Sequence, residues 1–98
     1  MINRITNIIG YRGHGVLNEH GTYIEGSYHN DLGSSLGSSI SNLKAVIEEG
    51  LGDFQILSLR GTKGAIFIGN GKDRTYFIHT SQETNYGLIR EILNRVIS

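Results

Sequence analysis

The chain has 98 residues, with nine lysines and arginines against nine aspartates and glutamates, and it contains neither cysteine nor proline. The length suits a single domain over residues 1–98, and the balanced charge excludes both the basic stripe of a nucleic-acid-binding protein and a polybasic membrane anchor. Because there is no cysteine, no signal-like segment and no apolar run long enough to span a bilayer, we expect a cytoplasmic protein without disulfides or thiol chemistry.

The first elements predicted along the chain are a short amphipathic helix and a hairpin. The helix ends at Gly10, and it is short enough that it must dock on a larger element. Two strands follow, Gly13–Asn18 and Thr22–Tyr28, with a turn at Glu19-His20-Gly21 between them. The apolar face of the helix consists of Ile2, Ile5, Ile8 and Ile9.

The segment Asn30–Glu49 predicts the central helix of the fold. Asn30 or Asp31 is a suitable N-cap, and Gly50 and Gly52 stand where the helix should end. Apolar residues recur at spacings of three and four, which places them on one stripe of a helix with 3.6 residues per turn. This stripe consists of Leu32, Leu36, Ile40, Leu43 and Ile47.

A second stripe of small residues lies on the opposite side of the predicted central helix. Gly33 and Gly37 each cost about 1 kcal/mol relative to alanine in a helix interior, so tertiary packing must hold this helix. Small side chains would let another backbone approach closely, as in a helix–helix contact; a solvated, serine-rich surface is the alternative. The stripe consists of Ser34, Ser38, Ser41 and Ala45, with Gly37 beside it.

The second half of the chain predicts three strands and a closing helix. The strands are Phe54–Arg60, Ala65–Gly69 and Thr75–Thr80, and Thr84 or Asn85 caps the helix. The fold class is therefore α+β, with the order α-β-β-α-β-β-β-α and one antiparallel five-stranded sheet that carries helices on both faces. The apolar face of the closing helix consists of Leu88, Ile89, Ile92, Leu93, Val96 and Ile97.

The third predicted strand looks like an unprotected sheet edge. It contains no proline, and it has no charge before Arg60. An exposed edge of this kind is an aggregation template unless another strand pairs with it, so we predict a dimer interface here. The predicted interface residues are Phe54, Gln55, Ile56, Leu57, Ser58 and Leu59.

Element order and several short motifs together resemble the Roadblock family, which comprises dynein light chains and GTPase regulators of profilin-like/longin-like architecture. The resemblance covers nearly the whole chain and involves no catalytic signature. The motifs are the Glu19-His20-Gly21 turn, Leu51-Gly52-Asp53 before the third strand, the hairpin RGTKGAIFI from Arg60, and NYGLIREIL from Asn85 in the closing helix.

The resemblance implies a non-enzymatic protein that works as a dimer. Family members form homodimers, or heterodimers with a related subunit, in which the third strands pair and two central helices lie side by side. The paired surface binds a Ras-like small GTPase or acts as a scaffold. The resemblance thus assigns strand pairing to the predicted interface residues, and it gives the stripe of small residues a role in helix pairing or GTPase binding. A purely structural, light-chain-like assembly subunit and a small-ligand-sensing profilin-like domain are the alternatives.

The chain shows no pattern typical of catalysis or of metal binding. No two histidines stand at the helical spacing that metal ligands use, no HExxH motif exists, and no serine lies in a G-x-S-x-G turn. We therefore expect no enzymatic activity, no metal and no cofactor, and we expect neither nucleic-acid binding nor direct membrane insertion. The histidines considered are His14, His20, His29 and His79.

Overall fold

The computed structural model describes the backbone from Ile2 to Ser98 and the side chains from Ile5 onward. The predicted element order is confirmed, with a 3-10 helix as the first helical element. The elements are the N-terminal 3-10 helix Ile2–Asn7, β1 Tyr11–Leu17, β2 Tyr23–Gly26, α1 Asn30–Leu51, β3 Ile56–Gly61, β4 Gly64–Asn70, β5 Thr75–Thr80 and α2 Tyr86–Ile97.

The five strands form one antiparallel sheet in the order β2-β1-β5-β4-β3, so the predicted α+β fold class is confirmed. β5 lies at the centre, and β2 and β3 are the edges. A turn of two residues, Thr62 and Lys63, joins β3 to β4. The hairpins β1–β2 and β3–β4 therefore flank the central strand. β3, which carries the predicted dimer contact, is an edge of the sheet.

Helices cover both faces of the sheet, as predicted. The N-terminal 3-10 helix and α2 cover one face, where Ile5 and Ile89 pack on Phe67 and Ile78 of the central strands. α1 covers the other face. The core on that side is smaller and consists of Leu17, Ile40, Ile68 and Phe77, with half-buried apolar residues around it.

Several element boundaries differ from the sequence prediction by one to three residues, and two of these differences move residues that the prediction assigned to a surface. Ile9, predicted on the apolar face of the first helix, follows the end of the 3-10 helix and is 78% exposed. β3 begins at Ile56, so Phe54 and Gln55 of the predicted strand precede it. Both differences fall at element ends, where periodicity carries the least information. The side chain of Ile2, assigned to the same apolar face, lies outside the described residues.

The residue that caps the N-terminus of α1 is one position earlier than the sequence predicts. The N-cap is His29 rather than Asn30 or Asp31: its Nδ1 accepts a hydrogen bond from the Leu32 N–H at 3.4 Å, and its carbonyl accepts the first intrahelical bond from Gly33 at 2.8 Å. Asn30 and Asp31 therefore lie in the first turn, where the Asp31 carboxylate stands near the positive end of the helix dipole.

The side of α1 that faces the sheet also differs from the prediction. Its buried residues are Gly33, Gly37 and Ile40, whereas Leu32, in the predicted apolar stripe, is 43% exposed. At 100° per residue, the buried direction is turned by about 70° from the middle of that stripe. The reason is Tyr23, whose ring lies against Gly33 and leaves no room for a larger side chain. The glycines thus bring the helix onto the sheet, and the apolar stripe is turned to one side.

Candidate interaction surface

β3 presents a free row of backbone hydrogen-bonding groups. The Asn70 N–H donates to the Gln55 carbonyl at 2.8 Å, and β3 and β4 continue in that register to their turn. Alternate residues of an antiparallel strand bond to the same neighbour, so every second residue of β3 directs its N–H and C=O away from β4. The outward-directed residues are Ile56, Ser58 and Arg60.

The predicted interface residues divide between the two faces of the sheet. Phe54 and Leu57 pack in the core beneath α1, and Ile56 packs in the core beneath α2. Ser58 is exposed, and Leu59 is 40% exposed. The side chains that precede and enter β3 are therefore anchored in the protomer, whereas the middle of the strand is accessible. Their pairing with a second chain stays a prediction.

The side of α1 that is turned away from the glycines forms an apolar flank next to β3. Leu36 lies over the same part of the sheet as Leu59 and Ile66. The flank is only partly covered: three of its five members are half-buried, and the other two, Leu32 and Val46, are exposed by 43% and 67%. We call Leu32, Leu36, Leu43, Val46 and Ile47 the apolar flank.

The stripe of small residues is divided by the fold. Ser34, Ser38 and Ala45 are exposed on the outer surface of α1. Gly37 is instead buried in the protomer: a Cβ atom there would lie 2.9 Å from Leu17 Cδ2. Ser41 is half-buried and faces the turn at Gly21. The placement of Gly37 beside the outer stripe is thus corrected, and a contact role for the exposed members stays a prediction.

An open groove of about 610 Å³ separates the N-terminal half of α1 from the β3–β4 hairpin. Its floor is apolar and includes Leu59, Ile66 and Phe77. Arg12 and Lys63 line the groove at the hairpin turn, where the Arg12 Nη1 donates to the Lys63 carbonyl at 2.6 Å. Sequence reasoning missed this groove, because its two cations are 51 residues apart and no local pattern joins them.

Burial lowers the pKa of two histidines in the described structure. Burial is the main cause at His79, and the nearby Arg12 guanidinium lowers the pKa further. At His14 burial again lowers the pKa, and the Glu25 carboxylate partly opposes the effect. His14 Nδ1 also lies 2.6 Å from the Tyr11 hydroxyl. Burial therefore favours the neutral form of both rings in the folded protein.

These lowered pKa values predict a loss of stability in mild acid. The unfolded chain has histidine pKa values of about 6.5, so below that pH it binds more protons than the folded chain does. The free energy of unfolding should be highest above pH 7 and should fall as the pH drops from about 6.5 through the folded values. Denaturant titrations of the wild type at pH 7.5 and pH 5 measure this change.

Matched variants separate the contribution of His14 and His79 to this pH dependence from that of the other titratable groups. A His14→Asn, His79→Asn double variant should lose less unfolding free energy between the two pH values. A His20→Asn variant should keep the wild-type loss, because this side chain is 78% exposed. An equal loss in all three proteins would contradict the assignment.

The described residues hold neither a group of side chains typical of a metal centre nor a helix that could cross a bilayer. Among them, no group of three or more histidine, aspartate and glutamate side chains lies close enough to hold a metal ion. His20 pairs with the neighbouring Glu19 at 3.6 Å on the surface, and His29 caps α1. In the same part of the chain, neither α-helix combines the length and the apolarity needed to cross a bilayer.

Comparison with known proteins gives a match at the level of structure. Sequence models of protein families and the sequences of curated proteins return no significant match to this chain. A solved Roadblock/LC7 domain from Streptomyces avermitilis superposes with a TM-score of 0.84 at 10% identity, covering 99% of this chain and 88% of that one.

Two further solved structures share the fold at lower scores. Myxococcus xanthus MglB matches with a TM-score of 0.65 at 13% identity, over 87% of this chain and 76% of its own. A structure of MglB with a tetrameric arrangement matches with a TM-score of 0.70 at 12% identity, over 99% of this chain and 79% of its own. The chain therefore has the Roadblock fold that its sequence motifs resemble.

Proposed function

We propose that this protein is a non-enzymatic regulator that dimerises through β3 and binds a Ras-like small GTPase. The Roadblock fold supports the regulatory role, and the free edge of β3 is the observation that carries the proposal. An edge strand without proline, with accessible middle residues and outward N–H groups, is suited to pairing with another strand. MglB, a structural neighbour, is known in a tetrameric arrangement, which supports oligomeric assembly.

Pairing of two β3 strands would make one continuous sheet and bring two α1 helices to the same face of it. The apolar flank of α1 lies on the β3 side of the helix, so it would turn toward the second helix and lose its contact with water. Burial of partly exposed leucine and valine side chains contributes about 25 cal/mol per Å² to association. Strand pairing and flank burial thus favour the same arrangement.

The outer surface of the two helices is the proposed GTPase-binding surface. Ser34, Ser38 and Ala45 are exposed there and carry no charge. Their small side chains leave a flat, uncharged surface that a globular partner can approach closely. This assigns the exposed small residues to the partner, and Gly37 to the protomer's own packing.

A charge introduced on this surface tests the proposal. Ser38→Glu should weaken binding to the cognate GTPase by about 10-fold or more, because a desolvated carboxylate is costly in an interface. Biolayer interferometry with purified Ras-like GTPases from the source organism, loaded with GDP or a non-hydrolysable GTP analogue, measures this change. Dimerisation of the same variant is followed by sedimentation.

Asn94→Glu provides the matched control. Asn94 is exposed on α2, on the other face of the sheet, so the same charge change should leave GTPase binding unaltered. Equal binding by Ser38→Glu and wild type would remove the outer surface of α1 from the proposal. Failure of every Ras-like GTPase to bind the wild type, in either nucleotide state, would favour the structural assembly subunit, which the tetrameric MglB arrangement also supports.

A further inference from the structure

A polar pocket of about 270 Å³ lies beneath the C-terminal half of α1, at the end of the sheet opposite the β3–β4 turn. Leu17 of β1 and Thr75 of β5 pair with each other and form its floor. The β1–β2 turn and the β4–β5 turn form its sides. β4 separates the floor from β3, so pairing of two protomers through β3 would leave this pocket open.

Two half-buried side chains of opposite charge line the pocket from the α1 side. Lys44 and Glu48 are four residues apart, a spacing at which lysine and glutamate on a helix meet and often pair. The ion pairs among the described residues nevertheless include neither of them. The Lys44 Nζ donates to Thr75 Oγ1 at 3.5 Å, whereas Glu48 Oε2 accepts from Asn70 Nδ2 at 3.2 Å. The sheet thus holds the ammonium at β5 and the carboxylate at β4, and it keeps the two charges apart.

Thr75 contributes a buried hydroxyl to the floor of the pocket. The residue is 5% exposed, and within the described structure its side chain makes one hydrogen bond, in which Oγ1 accepts from Lys44. A threonine hydroxyl also has a proton to donate, and this proton has no acceptor among the described residues. Buried polar groups in proteins are nearly always hydrogen-bonded. An anionic oxygen in the pocket would accept from both Thr75 and Lys44.

The exposed side chains at the mouth of the pocket carry both signs of charge. A simple anion or a simple cation would therefore meet like charges as well as opposite ones. A molecule with one charge of each sign is the better match for this mouth and for the half-buried pair below it. The volume is just under the range of about 300–1,000 Å³ typical of pockets for drug-sized ligands, which indicates a small occupant. The exposed residues are Glu19, His20, Lys72, Asp73 and Arg74.

We propose that this pocket binds a free α-amino acid. The ligand's carboxylate accepts from the Lys44 ammonium and the Thr75 hydroxyl. Its ammonium donates to Glu48 Oε1, the carboxylate oxygen that Asn70 leaves free. Both charged groups of an α-amino acid are attached to one carbon, so a single small molecule bridges the two charges that the sheet separates. The inference goes beyond the proposed function, and a monomeric protein that binds no GTPase would still carry this pocket.

The proteinogenic L-amino acids are the probes for this site, each supplied at about 10 mM so that even a weak ligand is detected. A ligand that binds only the folded protein raises the melting temperature as its concentration increases. We expect at least one amino acid to do so. It should also shift the backbone amide NMR signals of Gly21, Lys44 and Thr75, but not those of the β3–β4 turn. If no amino acid changes either the melting temperature or these signals, the inference is wrong.

Two derivatives of the amino acid that binds best test the role of each charge. N-acetylation removes the ammonium, and methyl esterification removes the carboxylate. Each derivative should bind at least about 10-fold more weakly than the free amino acid, because one hydrogen-bonded charge contact is lost. A derivative that binds as tightly as the free amino acid would contradict recognition of both charges.

Glu48→Gln and Lys44→Met assign each charge of the ligand to its partner. Glutamine can still accept from Asn70, and methionine keeps the apolar stem of the lysine. Each variant should bind the free amino acid at least about 10-fold more weakly than the wild type does. Glu48→Gln should keep wild-type affinity for the N-acetyl derivative, which has no ammonium to lose. Lys44→Met should likewise keep wild-type affinity for the methyl ester.

Glu49→Gln is the matched control, because Glu49 is exposed on α1 and does not line the pocket. This variant should bind the amino acid with the wild-type dissociation constant, as measured by the same NMR titration. Wild-type affinity in both Glu48→Gln and Lys44→Met would mean that the amino acid binds elsewhere, and it would overturn the inference.

Discussion

Ser58→Pro is expected to dissociate the proposed β3 dimer while the protomer stays folded. Ser58 lies in the middle of β3, is exposed, and directs its N–H away from β4. Proline removes that N–H and places its ring where a second strand would pair, so each of the two chains leaves one acceptor of its partner unpaired, at a cost of about 1–3 kcal/mol per chain. A cost of that size corresponds to a rise of roughly 100-fold in the dimer dissociation constant, which analytical ultracentrifugation measures directly.

Two further variants define what the Ser58→Pro result means. Ser58→Val keeps the N–H and favours a strand, so it should dimerise at least as well as the wild type. Leu57→Pro removes an N–H that bonds within the protomer's own sheet, so it should lower the free energy of unfolding itself. A Ser58→Pro protein that keeps the wild-type dissociation constant would show that the outer edge of β3 is free, since proline is tolerated at an unpaired edge.

The elements that sequence reasoning predicted well are those held by local patterns. β5 has the predicted bounds, Thr75–Thr80, because turn residues precede it and aromatic and β-branched residues occupy most of it. Asn85 caps α2 as one of the two predicted candidates, with its side chain accepting from the Leu88 N–H at 3.0 Å. In both cases residues close in the chain decide the outcome. The edge position of β3 was instead implied by the resemblance to the Roadblock family.

The orientation of α1 could not be read from its own residues. Periodicity correctly locates the apolar stripe, but the side that meets the sheet is decided by Tyr23, which belongs to another element. The charged groove is equally non-local, since it needs Arg12 of β1 and Lys63 of a turn to meet across the folded sheet. Both features concern the candidate surface, which is therefore less predictable than the fold.

Tyr23 is held so firmly that a single methyl group opposite it should destabilise the protein. The Tyr23 hydroxyl donates to the Tyr28 carbonyl at 2.8 Å and accepts from the Tyr28 N–H at 3.1 Å. A Cβ atom on Gly33 would overlap several carbons of this ring. The ring therefore has little freedom to move aside without losing two hydrogen bonds, and α1 would have to lift from the sheet instead.

Gly33→Ala should accordingly lower the free energy of unfolding by about 2 kcal/mol, although alanine is the better helix former by about 1 kcal/mol.

Gly87→Ala is the matched control. A Cβ atom on this exposed glycine of α2 would meet only Asn85 Oδ1, at an ordinary 3.7 Å, so the free energy of unfolding should stay equal or rise. Denaturant unfolding at one fixed protomer concentration measures both changes, since the proposed dimerisation would make stability depend on concentration. In a Tyr23→Leu background the cost of Gly33→Ala should shrink, because the smaller side chain can yield. A Gly33→Ala protein that is more stable than the wild type would mean that the ring moves aside, and that the glycine is not what turns the apolar flank toward β3.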